Sequence, residues 1–267
     1  MTTEPVMVPN GRPGTGGRTF VPEPGRAPLG RMIAAQTAME ARLTLRHGES
    51  LVLTMVIPIL LLVGISQTSV VRLPGDDRVG FLAPGILALA VMSSAFTGQA
   101  ISTGFERSYG VLKRLGASAL SRRDLLLAKT LAVLAVITLQ MVVIAAVAVL
   151  LGWRPAVSGI PAAAGLVLLG TAAFSGLGLL MAGTLRAEAT LAAANLVYLL
   201  LLAVGGVMYA LPSGVSGVLG LLPITALVDG LRAVLSDGGT GPLRCWVVLG
   251  VWAVASITAA ARWFRWE

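Results

Sequence analysis

Long apolar runs without any charge alternate along the chain with short polar segments that hold most of its arginines. A charged side chain at the centre of a bilayer costs at least about 2.5–3.5 kcal/mol, and a helix needs about 20 residues to cross. Charge-free runs of that length therefore predict membrane-spanning helices. Six spans are predicted, at about 51–71 (with Pro58 inside it), 81–103, 125–151, 160–185, 189–211 and 243–262.

The fifth apolar run is too long for a single span. It covers residues 189–228, and one helix of that length would measure about 60 Å, roughly twice the hydrocarbon thickness. Prolines and glycines cluster over 212–223, where a break is easiest. We therefore expect the span to end near Leu211 and residues 212–235 to form a re-entrant or interfacial helical segment that does not cross. If this segment did cross, the chain would have seven spans.

The distribution of positive charge predicts the orientation of the chain. With six spans, one side of the membrane receives 15 of the 20 lysines and arginines. Because cytoplasmic segments carry the excess of Lys and Arg, both termini are expected in the cytoplasm, at the cell inner or plasma membrane. A seven-span arrangement would place Arg262 and Arg265 outside, which the same rule disfavours.

Two different segments precede the first span. Residues 1–28 are polar and rich in proline and glycine, which predicts a disordered cytoplasmic tail. Residues 29–47 repeat apolar side chains near helical spacing, which favours an amphipathic helix at the membrane interface over a plain extension of the first span. Gln36 and Glu40 interrupt its apolar stripe. The apolar positions are Leu29, Met32, Ile33, Met39 and Leu43.

Composition agrees with lipid as the surrounding solvent. Hydrophobic residues make up 56% of the chain and charged residues 12%, about half the charged fraction of a soluble domain. The predicted fold is an all-α integral membrane protein, with residues 48–267 as its six-helix domain.

The single Cys245 excludes an internal disulfide, and the single His47 cannot build a haem or zinc site. Although the net charge is +8, the basic residues flank the spans, so no nucleic-acid partner is expected.

The loop after the second span carries the most informative pattern. Its front half mixes charges with Val111, Leu112 and Leu115, which predicts a short amphipathic helix over 105–117. Ser121 and Asp124 match a capping box that opens the third span. Such a helix, held between two spans, could serve as the contact site for a soluble protein that drives the membrane domain. A charged loop that only enforces topology is the alternative reading of the residues alone.

The sequence resembles the ABC-2-type permease family in this loop. The matching residues are Glu106, Arg107, Gly110, Leu112, Lys113, Arg114 and Leu115, followed by Ser121-Arg122 and Ala128-Lys129. The similarity is strongest to the drug- and antibiotic-exporter branch typified by the daunorubicin-resistance permease. It extends over about residues 29–262, including the late segments 222–225 and 229–232.

The resemblance implies a complete transport assembly. It implies six spans per subunit, a second copy or a homologous permease subunit, and separate ATP-binding subunits that carry ATP and Mg. The loop residues 106–115 would contact the ATPase, and the helix 29–47 would be the connecting helix. Two positions depart from the family pattern: Ser108 stands where a second Glu is common, and Ala119 where Pro is common. Ser108 cannot supply an anionic contact.

This chain carries no ATP site of its own and no expected cofactor. A P-loop needs G-x-x-x-x-G-K-[ST], and neither Lys113 nor Lys129 follows a glycine. An ion-gradient-coupled secondary transporter is the alternative function, but such carriers bury an ionisable residue at mid-membrane. Lys129 is expected at the end of its span, where its side chain would extend to the surface. The chain is therefore expected not to be an enzyme by itself.

A few residues inside the spans remain as candidates for the substrate path or for packing. Gln99, Gln140 and Asn195 either line the path or form hydrogen bonds between helices, and the residues favour the second reading. Ala172, Gly176 and Gly183 share one face of the fourth span, which predicts close helix packing. The largely uncharged interior favours an apolar or amphipathic cargo, such as a lipid or a hydrophobic drug. No metal site is expected.

Overall fold

The computed structural model describes residues 27–46, 48–68, 77–111, 121–209 and 216–264. For the helical residues 48–54, 122, 123 and 216 it describes the backbone only. Within these ranges the regular structure is entirely helical, which confirms the predicted all-α class. The predicted tail over 1–28 lies almost wholly outside the described residues.

The helices follow the predicted order. Residues 78–108 form one apolar unit, which continues through a π-helical turn at Ser93–Gly98. The helices are α1 Leu29–Arg46, α2 Gly48–Gln67, α3 Arg78–Met92, α4 Gln99–Ser108, α5 Arg122–Leu150, α6 Ile160–Thr184, α7 Ala187–Val204, α8 Ser216–Leu219, α9 Pro223–Ser236 and α10 Leu243–Trp263.

Five helical units are long and apolar enough to cross a membrane within the described residues. They are 78–108, 124–150, 157–184, 187–204 and 243–263. The first predicted span corresponds to α2, in which Met55–Gln67 forms a shorter apolar helix. The protein is therefore a multi-pass membrane protein, and the count of six spans stays a prediction.

The fifth span ends earlier than the sequence predicted. We expected helix as far as Leu211, but α7 stops at Val204. Gly205 caps the helix, and Gly206 has a φ of +65°, a left-handed backbone that a residue with a side chain rarely adopts. The absence of charge gave no sign of this stop, because the residues after Val204 are also uncharged; the Gly205–Gly206 pair was the local signal.

The segment before the last span is a short buried helix. α9 has 14 residues and is about 21 Å long, too short to cross the hydrocarbon core. It begins at Pro223 rather than at Pro212, and residues 210–215 lie outside the described part of the chain. Most of its side chains are buried against α3, α6 and α10. Whether it is re-entrant or interfacial stays a prediction.

Small residues bring α6 and α10 into close contact. A Cβ at Gly176 would lie 2.8 Å from the backbone nitrogen of Ile257, and one at Gly183 would lie 2.5 Å from the ring of Phe264. The hydroxyl of Ser256 donates a hydrogen bond of 3.0 Å to the carbonyl of Ala173. These contacts agree with the predicted packing role of the two glycines.

Candidate functional site

A capping box fixes the start of α5. The amide of Asp124 donates to Oγ of Ser121 at 3.3 Å, and the amide of Ser121 donates to the Asp124 carboxylate at 3.1 Å. These reciprocal bonds satisfy two amides that the first helical turn leaves without partners. The predicted capping box is confirmed. It places Lys129 about two turns into α5.

Lys129 lies at the centre of a buried charge cluster. Its Nζ is 2.6 Å from Oε2 of Glu106 at the end of α4 and 3.0 Å from Oε1 of Glu40 on α1. Only 4% of the lysine side chain is exposed. We call Glu40, Glu106 and Lys129 the triad. The expectation that Lys129 extends to the surface is wrong, because two carboxylates provide inside the protein the counter-charge that water would otherwise supply.

The polar face of α1 packs against α5. The amide of Gln36 donates to Oε1 of Glu40 at 3.0 Å, and the hydroxyl of Thr37 donates to the carbonyl of Ala128 at 3.4 Å. Gln36 and Glu40, which interrupt the apolar stripe in the sequence, therefore form the protein-facing side. Of the stripe itself, Leu29, Met39 and Leu43 are exposed, and Met32 and Ile33 are half-buried.

The exposed apolar residues of α1 point away from the rest of the chain, where lipid can cover them. An interfacial helix needs such an outward apolar face. The interfacial position of this connecting helix stays a prediction.

The loop residues predicted to contact an ATPase begin within α4. We expected a separate helix from Phe105, but residues 105–108 form the last turn of α4, which ends at Ser108 and is capped by Tyr109. Gly110 follows with a φ of +71°, so the chain turns sharply there. The guanidinium of Arg107 donates to the carbonyl of Leu185, at the end of α6.

The first two predicted coupling residues thus have partners inside the chain: Glu106 with Lys129, and Arg107 with Leu185. The third, Gly110, forms the turn after α4. The other four, Leu112, Lys113, Arg114 and Leu115, lie outside the described residues.

The three amides predicted inside the spans have different surroundings. Gln140 is fully buried and accepts a hydrogen bond of 2.8 Å from the hydroxyl of Ser94, in the π-helical turn. This is the interhelical bond that the residues favoured. Gln99 is also buried, but among the described residues neither its amide nitrogen nor its amide oxygen has a hydrogen-bond partner. Asn195 is exposed and donates to the carbonyl of Leu191 in its own helix.

At the opposite end of the bundle, an arginine that the sequence analysis did not single out forms hydrogen bonds to two other parts of the chain. Arg232 of α9 donates to the carbonyl of Phe81 at 3.2 Å and to that of Val207 at 2.9 Å. Its guanidinium carbon lies 3.8 Å from the centre of the Phe81 ring. Burial lowers the pKa of Arg232 to about 10, partly offset by Asp229, so the group stays charged at neutral pH. Arg232 thereby fastens α9 to the start of α3 and to the end of α7.

The charged residues at the two ends of the bundle bind neighbouring helices together. Within the described residues, no group of three or more His, Cys, Asp or Glu could hold a metal ion. The triad instead makes a mechanical connection: one ammonium ties α1, α4 and α5 together at the same end of the bundle where Arg107 ties α4 to α6.

A comparison with protein families identifies this architecture. The family model described as ABC-2 type transporter matches residues 33–236, from α1 to the end of α9. Among curated proteins, no match was found. The matched region is more than half of the chain and contains the triad, Arg107 and Arg232. The chain therefore belongs to the ABC-2 type transporter family and is the transmembrane subunit of an ABC transporter.

Proposed function

We propose that this subunit exports an apolar or amphipathic substrate (a drug, an antibiotic or a lipid) from the cytoplasm, driven by a separate ATP-binding subunit that carries ATP and Mg²⁺. The observation that carries the proposal is the triad. It joins the connecting helix α1 to the end of α4, immediately before the loop that resembles the ATPase-contacting segment of the family.

The triad makes these two elements move together. Removing one partner of a buried ion pair costs about 3–5 kcal/mol, so α1 cannot separate easily from α4 and α5. A force applied by an ATPase to the loop after Gly110 would therefore act on three helices at once. A change in their angle is the movement by which such a subunit would shift between inward-facing and outward-facing states.

Energy must come from outside this chain. The sequence contains only two lysines, and neither stands in a P-loop. Lys129 is moreover engaged by two carboxylates, so its ammonium is not free to hold a phosphate. Both features support a partner that supplies the ATP chemistry.

A second copy, or a homologous subunit, would complete the transport path. α7 is the least buried of the candidate spans, and it exposes the amide of Asn195 together with the apolar side chains of Leu196, Leu199 and Leu200. An exposed amide within an apolar surface is costly in lipid. Placing this face towards a partner subunit would give Asn195 a polar environment, and we propose α7 as part of the path between two subunits.

The direct test is affinity purification of the tagged chain from its own cell, followed by identification of bound proteins. We expect a Walker A protein at a stoichiometric level. The double variant Lys113→Glu with Arg114→Glu should lose this protein while keeping its thermal stability. Arg154→Glu, an exposed charge reversal at the opposite end of the bundle, is the matched control and should retain it.

Two results would overturn the proposal. One is a wild-type chain that purifies without any ATP-binding protein. The other is transport by the chain alone in liposomes, driven by a pH or sodium gradient without ATP, which is the behaviour of a secondary transporter.

A further inference from the structure

A cavity of about 320 Å³ lies at the end of the bundle held by Arg232. It is bordered by the first turn of α3, by the segment that follows α5, and by the last turns of α9. The side chains of Trp153 and Leu235, both 5% exposed, form an apolar part of the cavity wall. The polar lining residues that matter here are Asp77, Arg154 and Arg232.

Two arginines line this cavity, and neither forms an ion pair with a carboxylate of the described residues. Arg232 uses two N–H groups on the carbonyls of Phe81 and Val207, which leaves three of the five donors of a guanidinium. Arg154 is exposed and has neither a hydrogen bond nor an ion pair within the described part of the chain. The carbonyls and the Phe81 ring are neutral partners of Arg232, so its positive charge is not neutralised by an ion pair within the described residues.

The nearby acidic groups do not neutralise these arginines. Asp77 caps α3, with its Oδ1 accepting from the amide of Gly80 at 2.8 Å. Asp229 acts on Arg232 electrostatically, but the two form no ion pair within the described residues. The cavity therefore offers positive charge and unused donors to an anion from outside the chain.

Exposed apolar residues flank the cavity-lining segment along the chain. Leu150, at the end of α5, is 86% exposed and Val157 is 75% exposed, on either side of Trp153 and Arg154 in sequence. A membrane-spanning helix ends near the level where lipid acyl chains meet head groups, so acyl chains can cover these side chains. A ligand that suits both parts of this site has an anionic head and an apolar tail.

We propose that this cavity binds the phosphate group of an anionic phospholipid, with Arg154 and Arg232 on the phosphate and the acyl chains along Leu150 and Val157. The guanidinium fork matches phosphate oxygens in geometry and charge. This inference does not depend on the proposed coupling to an ATPase, since it concerns the opposite end of the bundle.

The test uses the purified full-length chain in detergent with three soluble probes. They are short-chain phosphatidylglycerol, phosphatidylcholine with the same chains, and inorganic phosphate, each titrated while the melting temperature is recorded. We expect phosphatidylglycerol to bind at least about tenfold more tightly than either other probe, because only it combines net negative charge with an apolar tail.

Three variants separate this site from general lipid binding. Arg154→Gln, at an exposed position, should weaken phosphatidylglycerol binding about tenfold. Asp77→Asn should tighten it several-fold, because asparagine still caps the helix while a negative charge is removed. Arg186→Gln, exposed at the other end of the bundle, should leave it unchanged.

Equal binding of the two phospholipids would overturn the proposal, and so would equal binding of inorganic phosphate and phosphatidylglycerol. An Arg154→Gln variant that binds phosphatidylglycerol as the wild type does, or an Asp77→Asn variant that binds it more weakly, would also overturn it.

Discussion

The triad predicts a large and specific loss of stability when its cation is removed. Lys129→Met keeps the length of the side chain but leaves Glu40 and Glu106 facing each other without a counter-charge. Breaking a fully buried ion pair in this way costs about 3–5 kcal/mol. The two carboxylates are 15% and 28% exposed, so water can solvate them in part, and we expect about 3 kcal/mol.

This loss is measurable as a change in melting temperature. For a chain of this size, 1 kcal/mol corresponds to about 2–4 °C, so Lys129→Met should melt about 6–12 °C below the wild type in the same detergent. Arg42→Met is the control, because it removes an exposed cation from α1 and should change the melting temperature by no more than about 1 °C.

A triple variant distinguishes charge imbalance from lost packing. Adding Glu40→Gln and Glu106→Gln to Lys129→Met removes every charge of the cluster and keeps its shape. Replacing a whole buried ion cluster by neutral groups is often close to neutral for stability, so most of the lost melting temperature should return. The reasoning is refuted if Lys129→Met melts within 1 °C of the wild type, or if the triple variant is no more stable than the single one.

Two further predictions concern packing and topology. Gly176→Ala should lower stability by about 1–3 kcal/mol through overpacking against α10, seen as a lower melting temperature, whereas Gly250→Ala, which has open space around its Cα, should raise it by up to about 1 kcal/mol; equal effects would contradict the close α6–α10 contact. In a Cys245→Ser background, a membrane-impermeant maleimide on intact cells should label Ser236→Cys and should not label Tyr109→Cys, both exposed positions. Labelling of Tyr109→Cys from outside would reverse the predicted orientation.

Local sequence was sufficient for several elements of the fold. The runs without charge located the apolar helices because the cost of a charge in lipid depends on composition alone. Ser121 and Asp124 predicted where α5 begins, because a capping box involves residues only three positions apart. The packing of Gly176 and Gly183 was predictable because small side chains are the usual means of close approach between membrane helices.

Tertiary structure alone decided the environment of Lys129. Its partners lie 23 and 89 residues away in sequence, on helices whose contact no local pattern reveals. The same is true of Arg232, which binds the carbonyl of Phe81 from 151 residues away.

The physical reason lies in the solvent. In water, an apolar stripe marks the side of a helix that packs, but in lipid both the packed and the exposed sides are apolar. Composition therefore determined which segments enter the membrane. Steric fit and the pairing of the few charges, such as Lys129 with Glu40 and Glu106, decided which faces meet and where the chain can transmit a force.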